Sequence, residues 1–153
     1  MESATSAVAT AETPKTAEEA VSGLIAVDIM GGDKGPEEIL SGIELALEQS
    51  REISGIVAVG DPTIIQPWLD SKGLGQSGKV KIFPTSQVID MDEKPILALK
   101  KKRDSSMMRA IELVKDGAAQ AVLSCGNTGA LMAGGTLKLR TQKGIERPAL
   151  ATA

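Results

Sequence analysis

The chain has 153 residues, the length of a typical domain, with 17 Lys and Arg, 20 Asp and Glu, and a formal net charge of −3. It has no histidine and one cysteine, which excludes Ser-His-Asp and Cys-His catalysis, histidine-based metal sites, cysteine-rich zinc sites and intrachain disulfides. The acidic balance argues against a nucleic-acid partner, and no apolar run has the length of a membrane span.

Residues 1–22 differ in composition from the rest of the chain. They are rich in Ala, Thr, Ser and Glu, and a segment of that kind buries too little apolar surface to offset the entropy of ordering. We therefore expect a disordered tail over 1–22 and a folded α/β part over 23–153. The tail has neither the apolar stretch of a secretory signal nor the arginines of a transit peptide.

The folded part opens with a strand, a glycine-rich turn and a helix. The strand is predicted over 24–29 and the helix over 36–50, with Ile39, Ile43, Ala46 and Leu47 on its apolar face. The turn between them contains Gly31, Gly32, Asp33, Lys34 and Gly35. Glycines let a backbone approach an anion, and a helix start offers unpaired N–H groups, so this turn is a candidate phosphate site. An ordinary βα turn explains the pattern equally well, since neither standard nucleotide motif is present.

The middle of the chain continues the alternation of strands and helices. The predicted order is a strand at 55–59, a helix at 63–72 that Pro67 weakens, a strand at 80–83, and helices at 94–102 and 104–115. Asp104, Ser105 and Ser106 can cap the last of these helices, and Gly117 ends it.

A fourth strand is predicted over 121–124, a helix capped by Asn127 runs to 139, and an apolar strand begins at 149. The alternation predicts a mostly parallel sheet with helices on both faces. In such sheets the ligand lies beyond the carboxyl ends of the strands. Three polar, Gly- or Ser-rich segments lie just past predicted strand ends or at helix starts, namely 31–36, 104–106 and 124–129.

Several short motifs appear in a fixed order along the chain. They are Met30-Gly31-Gly32-Asp33, Val59-Gly60-Asp61, Met91-Asp92, Asp104-Ser105-Ser106-Met107, Gly126-Asn127-Thr128-Gly129 and Arg147-Pro148-Ala149-Leu150. In this order they resemble the bacterial phosphate acyltransferases, the acyl-ACP:phosphate transacylases called PlsX. The resemblance extends from Leu24 to the end of the chain.

The resemblance implies a three-layer α/β/α, Rossmann-like fold similar to isopropylmalate dehydrogenase and phosphotransacetylase, here incomplete. It implies transfer of an acyl chain from acyl carrier protein to inorganic phosphate, with an acyl phosphate as product for phosphatidic acid synthesis. Neither a metal nor a cofactor is implied. Members of the family are typically homodimers, cytoplasmic or loosely associated with membranes.

The chain departs from the family pattern in three respects. Lys34 stands where the family commonly has His, so a positive charge can remain while a group that titrates near neutrality is lost. Cys125 replaces a small residue such as Ala. Members of the family are more than twice as long as this chain, and the additional part carries further active-site and dimer surface.

Carried over to this chain, the resemblance implies three catalytic candidates, Lys34, Lys102 and Asn127. The implied phosphate or substrate contacts are Gly31, Gly32, Asp33, Gly35, Asp104, Ser105, Ser106, Ser124, Gly126, Thr128 and Gly129. Plain helix capping is the competing interpretation of Asn127 and of both serines after Asp104.

Other polar residues have weaker functional interpretations. Asp33 and Asp104 either orient Lys34 or Lys102 or cap helices, and Asp28, inside an apolar strand, is interpreted as a buried acid with a partner near the site.

Cys125 and the basic run 100–103 each have a functional and a plain interpretation. A covalent acyl-cysteine is disfavoured, because the chain has no histidine to activate the thiol. The basic run is either a solvated helix end or a contact for acidic acyl carrier protein.

Two other functions compete with the acyltransferase. The first is a truncated, non-catalytic remnant that binds phosphate or carrier protein. The second is a transacylase that uses coenzyme A, or a nucleotide-binding module.

Overall fold

Four parallel strands form the centre of this computed structural model, which describes residues 23–149. The strands are β1 (Leu24–Asp28), β2 (Gly55–Gly60), β3 (Val80–Pro84) and β4 (Ala121–Ser124). The helices are α1 (Pro36–Gln49), α2 (Pro62–Ser71), α3 (Pro95–Lys101), α4 (Ser106–Lys115) and α5 (Thr128–Leu139), with a 3-10 turn at Leu74–Gln76. The tail over 1–22 and nearly all of the strand predicted from 149 lie outside the described residues.

The strands lie in the order β3-β2-β1-β4. In register, Val27 of β1 is paired with Ala58 of β2 on one side and with Leu123 of β4 on the other. The chain thus steps outward from β1 to β3 and then crosses back to place β4 on the free side of β1. The order of the strands confirms the predicted α/β, Rossmann-like class and its parallel sheet.

The two faces of the sheet bury alternate residues of β1 and β2, as the period of two in a strand requires. On one face Val27 and Ile56 pack with the apolar sides of α1 and α2. On the other face Ala26 and Val57 pack with Ala110 of α4. The predicted helices on both faces are therefore confirmed.

The helix α5 does not share these two sheet cores. Its Ala130 belongs to a third apolar cluster with Leu99 of α3 and Met107 and Ile111 of α4. An added Cβ at Gly134 would lie only 2.8 Å from Cδ1 of Ile111, so α5 and α4 approach closely. This packing fixes the start of α5 relative to the sheet, because α4 itself contacts β1, β2 and β4.

The predicted helix faces are confirmed with one omission. Ile43 is buried and Ile39, Ala46 and Leu47 are half-buried in α1, but Leu40, which the sequence prediction left out, is the most deeply buried residue of that helix. Pro67 lies inside α2 without ending it, and the strand predicted to reach Ile29 ends at Asp28.

Candidate functional site

The candidate site lies where β1 and β4 end side by side. The helix α1, which follows β1, packs on one face of the sheet, whereas α5, which follows β4, packs with α4 of the other face, so the two loops diverge at this point of the sheet. Ligands of open parallel sheets bind in the crevice that such a divergence creates. Two of the three predicted polar segments, 31–36 and 124–129, are the loops that form this crevice.

The two loops touch through their backbones at a pair of glycines. An ideal Cβ built on Gly31 would lie 3.1 Å from the Cα of Gly126, and one built on Gly126 would lie 3.2 Å from the Cα of Gly31. A side chain on either residue would therefore push the loops apart. Gly31 and Gly126 thus serve close approach of two main chains, whereas the sequence interpreted the glycines of the first loop as room for an anion.

A buried carboxylate joins the same two loops. Asp28, 1% exposed at the end of β1, accepts a hydrogen bond from the N–H of Gly31 (3.1 Å) and another from the hydroxyl of Ser124 (2.7 Å). Ser124 Oγ in turn accepts from the N–H of Gly126 at 3.1 Å. Both carboxylate oxygens are thus paired, which is what a buried charge requires. The interpretation of Asp28 as a buried acid with a partner is confirmed.

The helix α5 begins at this crevice and is capped by Asn127. The side-chain oxygen of Asn127 accepts from the N–H of Ala130 at 3.0 Å, as predicted for an N-cap. Its amide nitrogen donates to the carbonyls of Asp90, Met91 and Glu93 at 3.0–3.2 Å. Every hydrogen-bonding atom of this nearly buried side chain therefore has a partner within the chain.

The helix α1 begins at Pro36, and its N-cap residue Gly35 has no side chain to pair with the first N–H groups of the helix. Gly32 and Gly35 have φ of 125° and 82°, values that favour glycine and that turn the loop into the helix. Lys34 is exposed and lies 3.5 Å from Glu38 in the first turn of α1. Its ammonium group is therefore loosely held and free to move toward the crevice.

Lys102 has acidic partners on the turn that precedes α3. Its ammonium group donates to the carboxylates of Glu93 and Asp90 (3.1 Å to the latter) and to the carbonyl of Val88 at 2.6 Å. The hydrogen bond from Lys102 lowers the pKa of Glu93, and the same bond raises the pKa of Lys102. The proposed orientation of Lys102 by Asp33 or Asp104 is wrong, because the turn at 90–93 supplies its partners.

Asp104 faces the loop after β3. Its carboxylate accepts from both the N–H and the hydroxyl of Ser86 and from Nε of Arg109, at 2.6–3.0 Å. The hydrogen bond from Ser86, followed by that from Arg109, lowers the pKa of Asp104. Arg109 and Ser86, which the sequence reasoning did not identify, are thus the groups that hold this carboxylate, and neither lysine is.

Ser105 and Ser106 are buried at the start of α4. The hydroxyl of Ser105 accepts from the N–H of Met108 at 3.4 Å and caps the helix. Met107, in the same turn, would lie 3.0 Å from a Cβ on Gly126. The third polar segment therefore borders the crevice through the start of α4, while the side chain of Asp104 turns to the far loop.

The remaining candidates lie at the surface of the crevice. Asp33, Thr128 and Gly129 are exposed, and so is Cys125, whose Cβ would be 3.3 Å from a Cβ on Gly32. In residues 23–149, no cluster of three or more His, Cys, Asp or Glu side chains has a metal-binding arrangement. Within the same range, no helix combines the length and the apolar character of a membrane span.

Comparison with known proteins decides the family. The model of a family described as "Fatty acid synthesis protein" matches residues 24–153. The chain belongs to this family.

Relatives in the fatty acid synthesis protein family carry a more specific name. The chain is 46% identical over 129 residues to the "Phosphate acyltransferase" of Heliobacterium modesticaldum, covering 84% of the chain and 38% of that protein. It is 42% identical over 130 residues to the protein of that name from Pseudomonas fluorescens, covering 85% and 38%. It is 47% identical over 128 residues to the one from Caldanaerobacter subterraneus, covering 83% and 36%.

The chain spans less than two fifths of the length of these curated relatives. The aligned part includes the strand–turn–helix of β1 and α1 and the turn between β4 and α5, since the family match begins at residue 24. The family thus extends over both loops of the crevice.

Proposed function

We propose that this chain carries the phosphate-binding part of an acyltransferase that moves an acyl group from acyl carrier protein to inorganic phosphate. The observation that carries the proposal is the 42–47% identity to proteins named phosphate acyltransferase. The position of the first glycine loop supports it, because this loop leads from the end of β1 into the start of α1, and backbone N–H groups at a helix start attract anions. The acyl phosphate product would serve phospholipid synthesis.

The chemistry that this proposal requires suits a site without histidine. Phosphate is already anionic near neutral pH, so one of its oxygens attacks the thioester carbonyl carbon without a strong general base. The C–O bond of the acyl phosphate forms, the C–S bond breaks, and the thiolate of the carrier protein leaves. The site must hold the phosphate, exclude water and stabilise the tetrahedral oxyanion that forms. Backbone N–H groups at the start of a helix and a nearby ammonium group supply these functions.

We assign the roles as follows. Gly31, Gly32 and Gly35, with the first turn of α1, approach the phosphate through their backbones, and Lys34 contributes positive charge. Thr128 and Gly129 present the start of α5 to the phosphate or the oxyanion. Asp33, Asp104, Ser105, Ser106, Ser124 and Gly126 shape the surroundings. Asn127 and Lys102 act at the border of the site, through the turn at 90–93 that both of them hold.

The partners follow from the same reaction. Acyl carrier protein delivers the acyl group and inorganic phosphate accepts it. We further propose a cytoplasmic protein that forms a homodimer when the additional part found in its relatives is present, with peripheral membrane association as the route by which the product reaches lipid synthesis.

A single assay separates the competing functions. The purified chain is incubated with acyl-ACP with and without inorganic phosphate, and the acyl phosphate formed is trapped with hydroxylamine. Phosphate-dependent loss of the thioester with formation of the hydroxamate supports the acyltransferase. Binding of carrier protein or phosphate without turnover supports the non-catalytic remnant.

Replacement of acyl-ACP by acyl-CoA tests the alternative donor. The proposal expects much slower transfer from acyl-CoA, because the contacts with the carrier protein are then lost. Equal or faster transfer from acyl-CoA would contradict it and favour a coenzyme A transacylase.

A further inference from the structure

The turn at 90–93 is held by hydrogen bonds and ion pairs from two side chains, Asn127 and Lys102. The side-chain amide nitrogen of Asn127 donates to three carbonyl oxygens of the turn, those of Asp90, Met91 and Glu93, at 3.0–3.2 Å. Lys102 binds the Glu93 and Asp90 side chains from the other side. Such a number of bonds on a four-residue turn indicates that its position matters.

This turn lies directly against the first turn of α5. A Cβ on Gly129 would lie 2.8 Å from Cγ of Pro95, the residue that begins α3 immediately after the turn. Because Asn127 bonds to the carbonyl oxygens of the turn and also caps α5, these carbonyls lie at the start of the helix. Carbonyl oxygens carry partial negative charge, so unpaired ones at this place would oppose the binding of an anion.

The side chain of Asn127 pairs these carbonyl oxygens and caps α5 at the same time. Its oxygen accepts a hydrogen bond from the N–H of Ala130, and its NH₂ group donates hydrogen bonds to the carbonyls of the turn. Plain capping requires only the oxygen, which Asp or Ser supplies equally well. The hydrogen bonds that its two N–H groups share among the three carbonyls are an additional property that an amide of this length provides here.

We propose that Asn127 is a positioning residue that holds the turn at 90–93, with its carbonyls paired, beside the phosphate-binding start of α5. It acts on the phosphate through the turn and the helix and is not itself the group that stabilises the oxyanion. This proposal rests on the proposed function for its phosphate ligand, while the clamp on the turn can be tested without turnover.

The test compares N127D and N127S with the wild-type chain. Both variants keep an oxygen for the N–H of Ala130 and lose the donated bonds, and N127D also directs a negative charge at the three carbonyls. D61N is the matched control, since Asp61 caps α2 through the N–H of Thr63 and lies on a different loop.

Hydrogen–deuterium exchange measures the clamp. In N127D and N127S we expect faster exchange of peptides covering 88–94, with unchanged exchange in the core strands, and no change there in D61N. Wild-type exchange of 88–94 in both variants would overturn the clamp.

The affinity for phosphate tests whether Asn127 positions the phosphate-binding start of α5. Calorimetry with inorganic phosphate, and the KM for phosphate in the transfer assay, should show weakening on the order of tenfold to a hundredfold in N127D, the cost typical of a misplaced binding group. The KM for acyl-ACP should stay within about twofold, because the donor does not depend on the turn.

The outcomes are distinguishable from failure of the proposed function. A wild-type chain that neither binds phosphate nor transfers the acyl group overturns the proposed function, and with it the positioning role, whereas the exchange data still decide the clamp. A loosened turn with unchanged phosphate affinity shows that Asn127 is merely structural.

Discussion

Gly31 and Gly126 show how single residues control the distance between the two loops of the candidate site. Both lie where the loops cross, with no room for a Cβ on either main chain. Asp28 and Ser124 then fix the crossing with hydrogen bonds, so the geometry of the crevice depends on two glycines and two short side chains. Substitutions here are expected to act on stability and on phosphate binding together.

G31A tests the close approach. The new methyl group would lie 2.4 Å from Oδ2 of Asp28 and 3.1 Å from the Cα of Gly126, so the buried carboxylate and the loop must both move. We expect a loss of roughly 1–3 kcal/mol in the free energy of unfolding, as for other overpacked sites. Urea denaturation measures it.

G42A is the matched control for G31A. Gly42 lies inside α1 with nothing within 4 Å of an added Cβ, so alanine should stabilise the chain by roughly 0.5–1 kcal/mol. Equal effects of the two substitutions would contradict the packing argument.

Substitution of Cys125 tests whether the acyl group passes through a covalent acyl-cysteine or is transferred directly to phosphate. The thiol is exposed beside the crevice, but the chain has no histidine that could activate it. C125A should therefore keep phosphate-dependent transfer close to the wild-type rate in the hydroxylamine assay. Complete loss of transfer, with an unchanged free energy of unfolding, would point instead to an acyl-cysteine intermediate.

At the scale of elements, the loop after β3 is the connection that brings distant parts of the chain together. Its first part is held by Asp104 through Ser86, and its last part is held by Lys102 and Asn127. The loop after β3 is thus hydrogen-bonded to residues at the start of α4, at the end of α3 and at the start of α5. Loss of charge or of a hydrogen bond at any of these three residues is therefore expected to shift the loop and to change the geometry of the crevice.

The anchor at Asp104 predicts a pH dependence with a defined sign. Its folded pKa is lowered from the ordinary 3.8, so its stabilising contribution is fully present above that value and is lost as pH falls through the folded pKa. The difference in unfolding free energy between wild type and D104N should therefore be constant above about pH 5 and shrink below pH 3.8. A difference that persists unchanged at the lowest pH would contradict the role of the charge.

At the scale of the whole molecule, charge is distributed unevenly between loops and helix ends. Lys102 is occupied by the turn at 90–93, whereas Lys100, Lys101 and Arg103 are exposed and make no side-chain hydrogen bond or ion pair to other residues within 23–149. The basic run thus separates into one structural lysine and three free cations. These three are the candidates for contact with acidic carrier protein.

The double substitution K100E/R103E tests this contact. Charge reversal should raise the KM for acyl-ACP severalfold at low salt, with a smaller effect at high salt, because rim charges act mainly on association. The charge-matched control is K79E/K81E at and beside the start of β3, the strand at the far edge of the sheet. An equal rise of KM in both double variants would show that net charge alone causes the effect and would contradict a specific contact at 100–103.

The sequence by itself determined the order of strands and helices, the parallel class of the sheet, the cap at Asn127, a cap within 104–106, and the burial of Asp28. These features follow from local periodicity, capping chemistry and the cost of burying a charge, which act over a few residues. The motifs also predicted the family, because they appear in order over the whole folded part.

Only the tertiary structure decided which polar groups meet. The contact of Gly31 with Gly126, the pairing of Lys102 with Glu93 and of Asp104 with Arg109, and the second use of Asn127 all depend on where the strand order places each loop. Residues such as Asp28 and Ser124 are 96 positions apart in sequence, so no local pattern records their contact. The crossover that returns β4 to the side of β1 creates the crevice, and that choice belongs to the packing of the whole sheet.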